Sequence, residues 1–291
     1  MINFKRILFP VDFSAQSKAI VPFVRAMAKC FDSEIVVLHV IDIPDSWLGS
    51  REAGGEPGSL GIDRLQVEAT SALDRFVTEE LLSDAGVSRR VTKGDVARQI
   101  VDCAHEQQVD LIMIPTHGYG PFRSLLLGSV TAKVLHDVHC PVWTGVHAER
   151  MTSHSPARWK RILCSIDTDE HGESVLKWAW QFAQQQSLEM QLVHAVAGAD
   201  GMWTEENDPS MYDFLFHAAR QQLAKLQAGA GTNLDIRLIG GSVGSAVHKA
   251  ALDYDADLIV IGRGAIQTSF GRLKNSDYSI IRAAPCPVIS I

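Results

Sequence analysis

Gly118 and the pair Gly128-Ser129 stand with nine residues between them, downstream of the apolar run Leu111-Ile-Met-Ile. Glycine lets a backbone approach a ligand closely. A serine opening a helix offers both its hydroxyl and its N–H to an anion, where the unbonded N–H groups of the first turn already favour phosphate. The chemistry this spacing suggests is phosphate binding. Asp12 follows the apolar run Ile7-Leu8-Phe9. Its carboxylate can accept hydrogen bonds from a base or ribose, or it can cap the helix entered through Phe13-Ser14. His39 and His194 close apolar runs and read as hydrogen-bonded strand residues rather than bases, and His117 as part of a His-Gly turn. The eleven histidines show no H-x-x-x-H or similar metal spacing, so no metal centre is expected. Trp178 and Trp180 sit two apart in a helical pattern, face different ways and form no stacking platform.

The elements that must position these residues occur twice. Phe4-Lys5-Arg6-Ile7-Leu8 is echoed by Trp159-Lys160-Arg161-Ile162-Leu163. Asp12 and Asp167 are 155 residues apart, as are His39 and His194. The offset falls to 147 at Gly94 and Gly241 and at Asp110-Leu-Ile and Asp257-Leu-Ile, then to 146 at the two Cys-Pro-Val segments, Cys140 and Cys286. The second copy has therefore lost 8 residues between its second and third strands and one more before Cys286. A period this long is a duplicated domain, since solenoid units run about 20 to 50 residues. Each copy reads strand, helix, strand, loop, helix, strand, helix, strand, loop, helix, strand. Near-continuous apolar strands such as Ile35-Val-Val-Leu-His-Val and Leu258-Ile-Val-Ile belong in a parallel sheet covered on both faces. The fold expected is α/β, two open, doubly wound, five-stranded parallel-sheet domains in tandem, of Rossmann-like type. They span residues 1–147 and 158–291, joined by the polar stretch His147 to Ala157. Asp95 and Ser242 are expected N-caps, and Asp45 to Gly61 a mobile loop.

Composition limits the alternatives. With 46% hydrophobic and 21% charged residues the chain is a soluble globular one. A net charge of -7 with no Lys/Arg run argues against DNA or RNA as partner. No stretch approaches the roughly 18 apolar residues of a membrane span, and the opening Met1-Ile-Asn-Phe-Lys-Arg-Ile-Leu-Phe-Pro lacks a signal-peptide core. The five cysteines form no C-x-x-C pair and read as reduced core residues of a cytoplasmic protein.

The glycine loop and the two Cys-Pro-Val strands resemble the universal stress protein family, over essentially the whole chain. Its ATP-binding members carry Gly, two residues, Gly, nine residues, then Gly-Ser or Gly-Thr. Carried over by position, the resemblance implies that Pro10, Val11, Asp12, Val40, Gly118, Gly128, Ser129 and Val130 hold adenosine and phosphates of ATP, with Mg²⁺ where the triphosphate is bound. Pro115 stands where the family motif has its first glycine, which removes a backbone donor. The second copy departs further. It reads Gly262-Arg263-Gly264, one residue short, and has Lys274-Asn275 in place of Gly-Ser. Losing two charge-assisted hydrogen bonds of roughly 1.5 to 3 kcal/mol each weakens phosphate binding about a hundredfold or more. The resemblance also implies an internal pseudo-dimer through the last strands, Val142 to Val146 and Val288 to Ile291, and is compatible with a homodimer.

Three functions compete. The first is a nucleotide-binding stress or regulatory protein with its site in the first copy and little or no turnover; slow ATP hydrolysis is its variant. The second is an enzyme of related sheet, but Pro10-Val-Asp-Phe-Ser replaces the S-G-G-x-D-S loop of ATP pyrophosphatase-type ligases, and no G-x-G-x-x-G follows the first strand. The third is a nucleotide-free dimerising scaffold, which Pro115 and Lys274-Asn275 keep open. The first is the reading the glycine loop favours.

Overall fold

The computed structural model describes residues 1–43, 57–81, 86–116, 127–145, 159–169, 171–196, 209–263 and 275–291. The chain divides into two compact units, one built on Asn3–Trp143 and the other on Arg158–Ile291.

The first unit contains β1 (Arg6–Pro10), α1 (Ala15–Phe31), β2 (Glu34–Asp42), α2 (Pro57–Glu80), β3 (Val87–Gly94), α3 (Val96–Glu106), β4 (Leu111–Pro115), α4 (Ser129–Asp137) and β5 (Val142–Gly145). Strand order is β3-β2-β1-β4-β5. β1 runs parallel to β2 in the register Ile7↔Ile35 and to β4 in the register Ile7↔Leu111, and β2 is parallel to β3. The order reverses between β1 and β4, so a crevice opens beyond their carboxyl ends. The apolar run of β4 is buried along its whole length, because helices cover both faces of the sheet. The edge strand β3 is only half-buried and carries Arg89 and Arg90, paired with Asp74 at 3.1 Å and Glu106 at 3.9 Å. Such charges keep a sheet edge from recruiting another strand.

The second unit repeats this plan with β6 (Arg161–Ser165), α5 (Gly172–Gln186), β7 (Glu189–Val196), α6 (Pro209–Ala230), β8 (Ile236–Gly240), α7 (Val243–Tyr254), β9 (Leu258–Ile261), α8 (Asn275–Ala283) and β10 (Val288–Ser290). Its strand order is β8-β7-β6-β9-β10, with parallel pairings throughout. The duplication extends to single hydrogen bonds. Asp110 Oδ2 accepts from Arg6 N at 2.9 Å, and Asp257 Oδ2 accepts from Arg161 N at 3.0 Å. Gly94 and Gly241 have φ of 129° and 128°, which side-chain-bearing residues rarely adopt, so both copies turn from third strand to following helix on a glycine.

Some local expectations change. Cys103, Cys164 and Cys286 are buried, but Cys30 is exposed and Cys140 only partly buried. Cys30 falls on the outward face of the last turn of α1, so it is not a core residue. Asp95 caps α3 through its side chain, which accepts from Arg98 N at 2.9 Å; Ser242 occupies the N-cap position of α7 without a side-chain bond to the backbone. Pro57 to Gly61, expected as loop, form the first turn of α2, where proline at the first helical position has a preset φ and loses no hydrogen bond. The rest of the Asp45 to Gly61 segment and the joint from His147 to Ala157 lie outside the described residues. Among the described residues no helix is long and apolar enough to cross a membrane.

Candidate functional site

Beyond the ends of β1, β2 and β4 lies a cavity of about 320 Å³, at the small end of the range for small-molecule sites. Seven residues marked by the sequence line it: Pro10, Val11, Asp12, Val40, Gly128, Ser129 and Val130. Gly118 and His117 lie outside the described residues.

The loop leaving β1 is held from three sides. Val11 N donates to Leu38 O at 2.8 Å. His39 Nδ1 lies 2.8 Å from Val11 O; a carbonyl only accepts, so Nδ1 carries the proton. Asp12 Oδ1 accepts from Ser14 N at 3.0 Å, Ser14 Oγ at 2.5 Å and Ser17 Oγ at 2.6 Å. Ser14 is the N-cap of α1 and accepts from Ser17 N. Asp12 thus organises the helix entry through one oxygen, while Oδ2 accepts no hydrogen bond among the described residues. Asp12 braces the turn into α1 and lines the cavity.

The opposite wall is the start of α4. Its N-cap Gly128 has extended backbone and makes no side-chain capping bond. Gly128 N donates to Thr116 O at 2.8 Å and Thr131 Oγ1 donates to Pro115 O at 3.0 Å, which ties α4 to the end of β4. The N–H groups of Ser129, Val130 and Thr131 have no carbonyl four residues back to bond, and they carry the positive end of the helix dipole. A partly negative group is the partner such an end lacks.

Sequence reasoning missed several lining residues. Val96 and Ile100 come from successive turns of α3, and Asp42, Ile114 and Thr131 extend strand and helix ends already implicated; Pro115, marked in the sequence as the departure from the glycine motif, also lines the cavity. The i, i+4 spacing of Val96 and Ile100 was a visible signal, but nothing along the chain says which wall that face meets. Nearby, Asp95 forms an exposed ion pair with Lys133 of α4 at 3.4 Å. The Arg98 N–H bond, and secondarily Lys133, hold its carboxyl below the usual carboxylate range.

At the ends of β6 and β9 in the second copy, beside the start of α5, the described residues line a space of about 30 Å³. Gly172 stands at the Ser17 position, and a Cβ there would lie 2.2 Å from Asp167 O. Gly262 stands at the Pro115 position, and a Cβ there would lie 2.5 Å from Val175 Cγ2. Two glycines therefore let α5 close onto the ends of β6 and β9. The buried hydroxyls Thr116 and Thr131 are replaced by Arg263, 8% exposed, and Asp277, 5% exposed. Both line the residual space. His194 Nδ1 still donates to Ile166 O at 2.8 Å, as His39 does to Val11. Lys274 lies outside the described residues.

The universal stress protein family model matches residues 3–144 and again 158–291. Universal stress protein MJ0531 of Methanocaldococcus jannaschii is 30% identical over 141 residues, covering 48% of this chain and 80% of its own length. Universal stress protein MJ0577 of the same organism is 29% identical over 154 residues, 48% of this chain and 94% of its own. A universal stress protein of Archaeoglobus fulgidus superimposes with a TM-score of 0.68 at 22% identity, covering 100% of this chain and 97% of that one. With both copies matched and the fold shared along the full length, the chain belongs to the universal stress protein family, as two such domains in tandem.

Proposed function

We propose that the first copy holds an adenine nucleotide, ATP with Mg²⁺ where the triphosphate is bound, and that occupancy rather than turnover is the output. The observation that carries this reading is the uncapped N-terminus of α4, which opens on a cavity whose far rim is Pro10, Val11, Asp12 and Val40. A phosphate at Gly128, Ser129 and Val130 leaves adenosine room toward the ends of β1 and β2. The three hydrogen bonds that bind Asp12 Oδ1 to the entry of α1 favour a bracing role over that of a general base. The second copy, with its space reduced to about 30 Å³, serves as a ligand-free partner domain.

Calorimetric titration of Mg-ATP into the whole chain tests this, beside the Gly128→Val/Ser129→Ala double variant. One site that the variant abolishes is expected, with phosphate release at or near background. No heat from the unmodified chain would turn the reading to a nucleotide-free scaffold, with Pro115 as its physical reason; sustained phosphate release would turn it to a slow ATP hydrolase.

The assembly is proposed from the family resemblance. The two copies, bounded as 1–147 and 158–291, pair as an internal pseudo-dimer through β5 and β10, and a homodimer of whole chains is the further association proposed. A crystal structure whose sheets do not meet through these strands rejects the pairing, and light scattering reports the homodimer. A reducing, cytoplasmic setting is proposed from the odd number of cysteines and the lack of a C-x-x-C pair.

A further inference from the structure

Phe13 has a φ of 62°. This is left-handed backbone, which a bulky side chain adopts only where the surroundings over-determine it. Among the described residues four other non-glycine residues share the conformation, and they form two matched pairs between the copies, Asp32 with Ser187 and Gln108 with Asp255. Phe13 stands alone: Thr168 holds its position in the second copy and has no positive φ. The unmatched turn belongs to the copy with the open cavity.

The ring of Phe13 is not part of the cavity wall. It stacks on the His39 imidazole, centroids 4.4 Å apart and planes at 29°, and leans on Phe76 of α2 at 5.8 Å. His39 does line the cavity, and its Nδ1 holds Val11 O. The left-handed turn at Phe13 is also what returns the Asp12 carboxylate onto Ser14 and Ser17.

We infer that Phe13 is a positioning residue for the ligand of the first copy. Its ring clamps His39, His39 fixes the Val11 carbonyl, and the strained turn fixes Asp12, so the rim from Pro10 to Asp12 is set before the ligand arrives. A rim ordered in advance spares the ligand that ordering cost. The inference rests on the nucleotide reading of this cavity.

Mg-ATP affinity and thermal stability of the whole chain are measured together for wild type, Phe13→Tyr, Phe13→Ala and Phe13→Gly. Tyr keeps the ring and retains wild-type affinity. Ala and Gly lose the stack and bind about tenfold more weakly. Gly nevertheless melts at or above Ala, because it tolerates the positive φ that Ala does not. Affinity then follows the ring while stability follows the Cβ, a split that a merely structural residue does not produce. Wild-type affinity in Phe13→Ala, or affinity that tracks melting temperature across the series, overturns the inference while leaving the nucleotide reading intact. No binding by wild type overturns that reading and the inference with it. Should Phe13→Ala fail to fold, Gly against Tyr decides on the same terms.

Discussion

Gly172 and Ser17 occupy matching places at the entry of α5 and α1, and exchanging one for the other has opposite physics in the two copies. Ser17 Oγ hydrogen-bonds Asp12, whereas a side chain at 172 meets the Asp167 carbonyl at 2.2 Å. Gly172→Ser should cost the second copy about 1–3 kcal/mol of overpacking, read as lost hydrogen-exchange protection in α5. Ser17→Ala should cost the first copy about 1 kcal/mol for its hydrogen bond. The thiols divide in the same residue-by-residue way. Burial pushes Cys164 up to about 12 and raises Cys103 and Cys286 as well, so each remains a protonated, enclosed thiol near neutral pH. Cys30 is exposed. A thiol reagent at pH 8 should label Cys30 rapidly and Cys103, Cys164 and Cys286 only on unfolding, as peptide mass mapping would show; rapid labelling of Cys164 in the folded chain would contradict the burial.

Among the elements, α3, α4 and α7 begin in three different ways. α3 has a charged cap in Asp95, α7 has Ser242 without a side-chain bond to the backbone, and α4 has glycine. The cap of α3 makes a pH prediction. Because the folded carboxyl of Asp95 is depressed, its contribution is present above the unfolded carboxylate range and is lost as pH falls through the folded value. The side chain is 44% exposed, so solvent screens the charge and the hydrogen bond carries most of the effect. Asp95→Ala should cost about 1 kcal/mol at pH 7, and the gap between the two urea midpoints should narrow from about pH 4 downward. Ser242→Ala should cost less at either pH. A gap that widens in acid would mean that the capping bond does not govern α3. The bare start of α4 is the departure, since capping it would remove the N–H groups on which an anion-binding site depends.

At the scale of the whole molecule the copies should respond unequally to ligand. Mg-ATP at a hundred times its dissociation constant should stabilise the first copy by about 2.7 kcal/mol, seen as slowed exchange across β4 and α4 and unchanged exchange across β9 and α8. Equal protection of both copies would mean that the second space opens in solution. The duplication, the parallel sheets and the candidate rim were legible along the chain, because apolar runs, a 155-residue echo and glycine spacing are local properties of sequence. Asp12, Gly128 and Ser129 could be marked as residues, but the face of α3 carrying Val96 and Ile100 could not be assigned to their cavity, since packing partners depend on where the chain crosses the sheet. The same dependence hid the closure of the second copy. Gly172 carried no signal along the chain and Gly262 only that of a shortened glycine loop; the approach of α5 to the ends of β6 and β9 makes both the reason that space is small. Sequence determined the repeat and the layer architecture and marked the residues of the proposed phosphate site, which follow from periodicity and residue type. Tertiary structure decided the cavity beyond β1, β2 and β4 and the stacking of Phe13 on His39 behind its rim, because volume and strain exist only once distant segments are brought into contact.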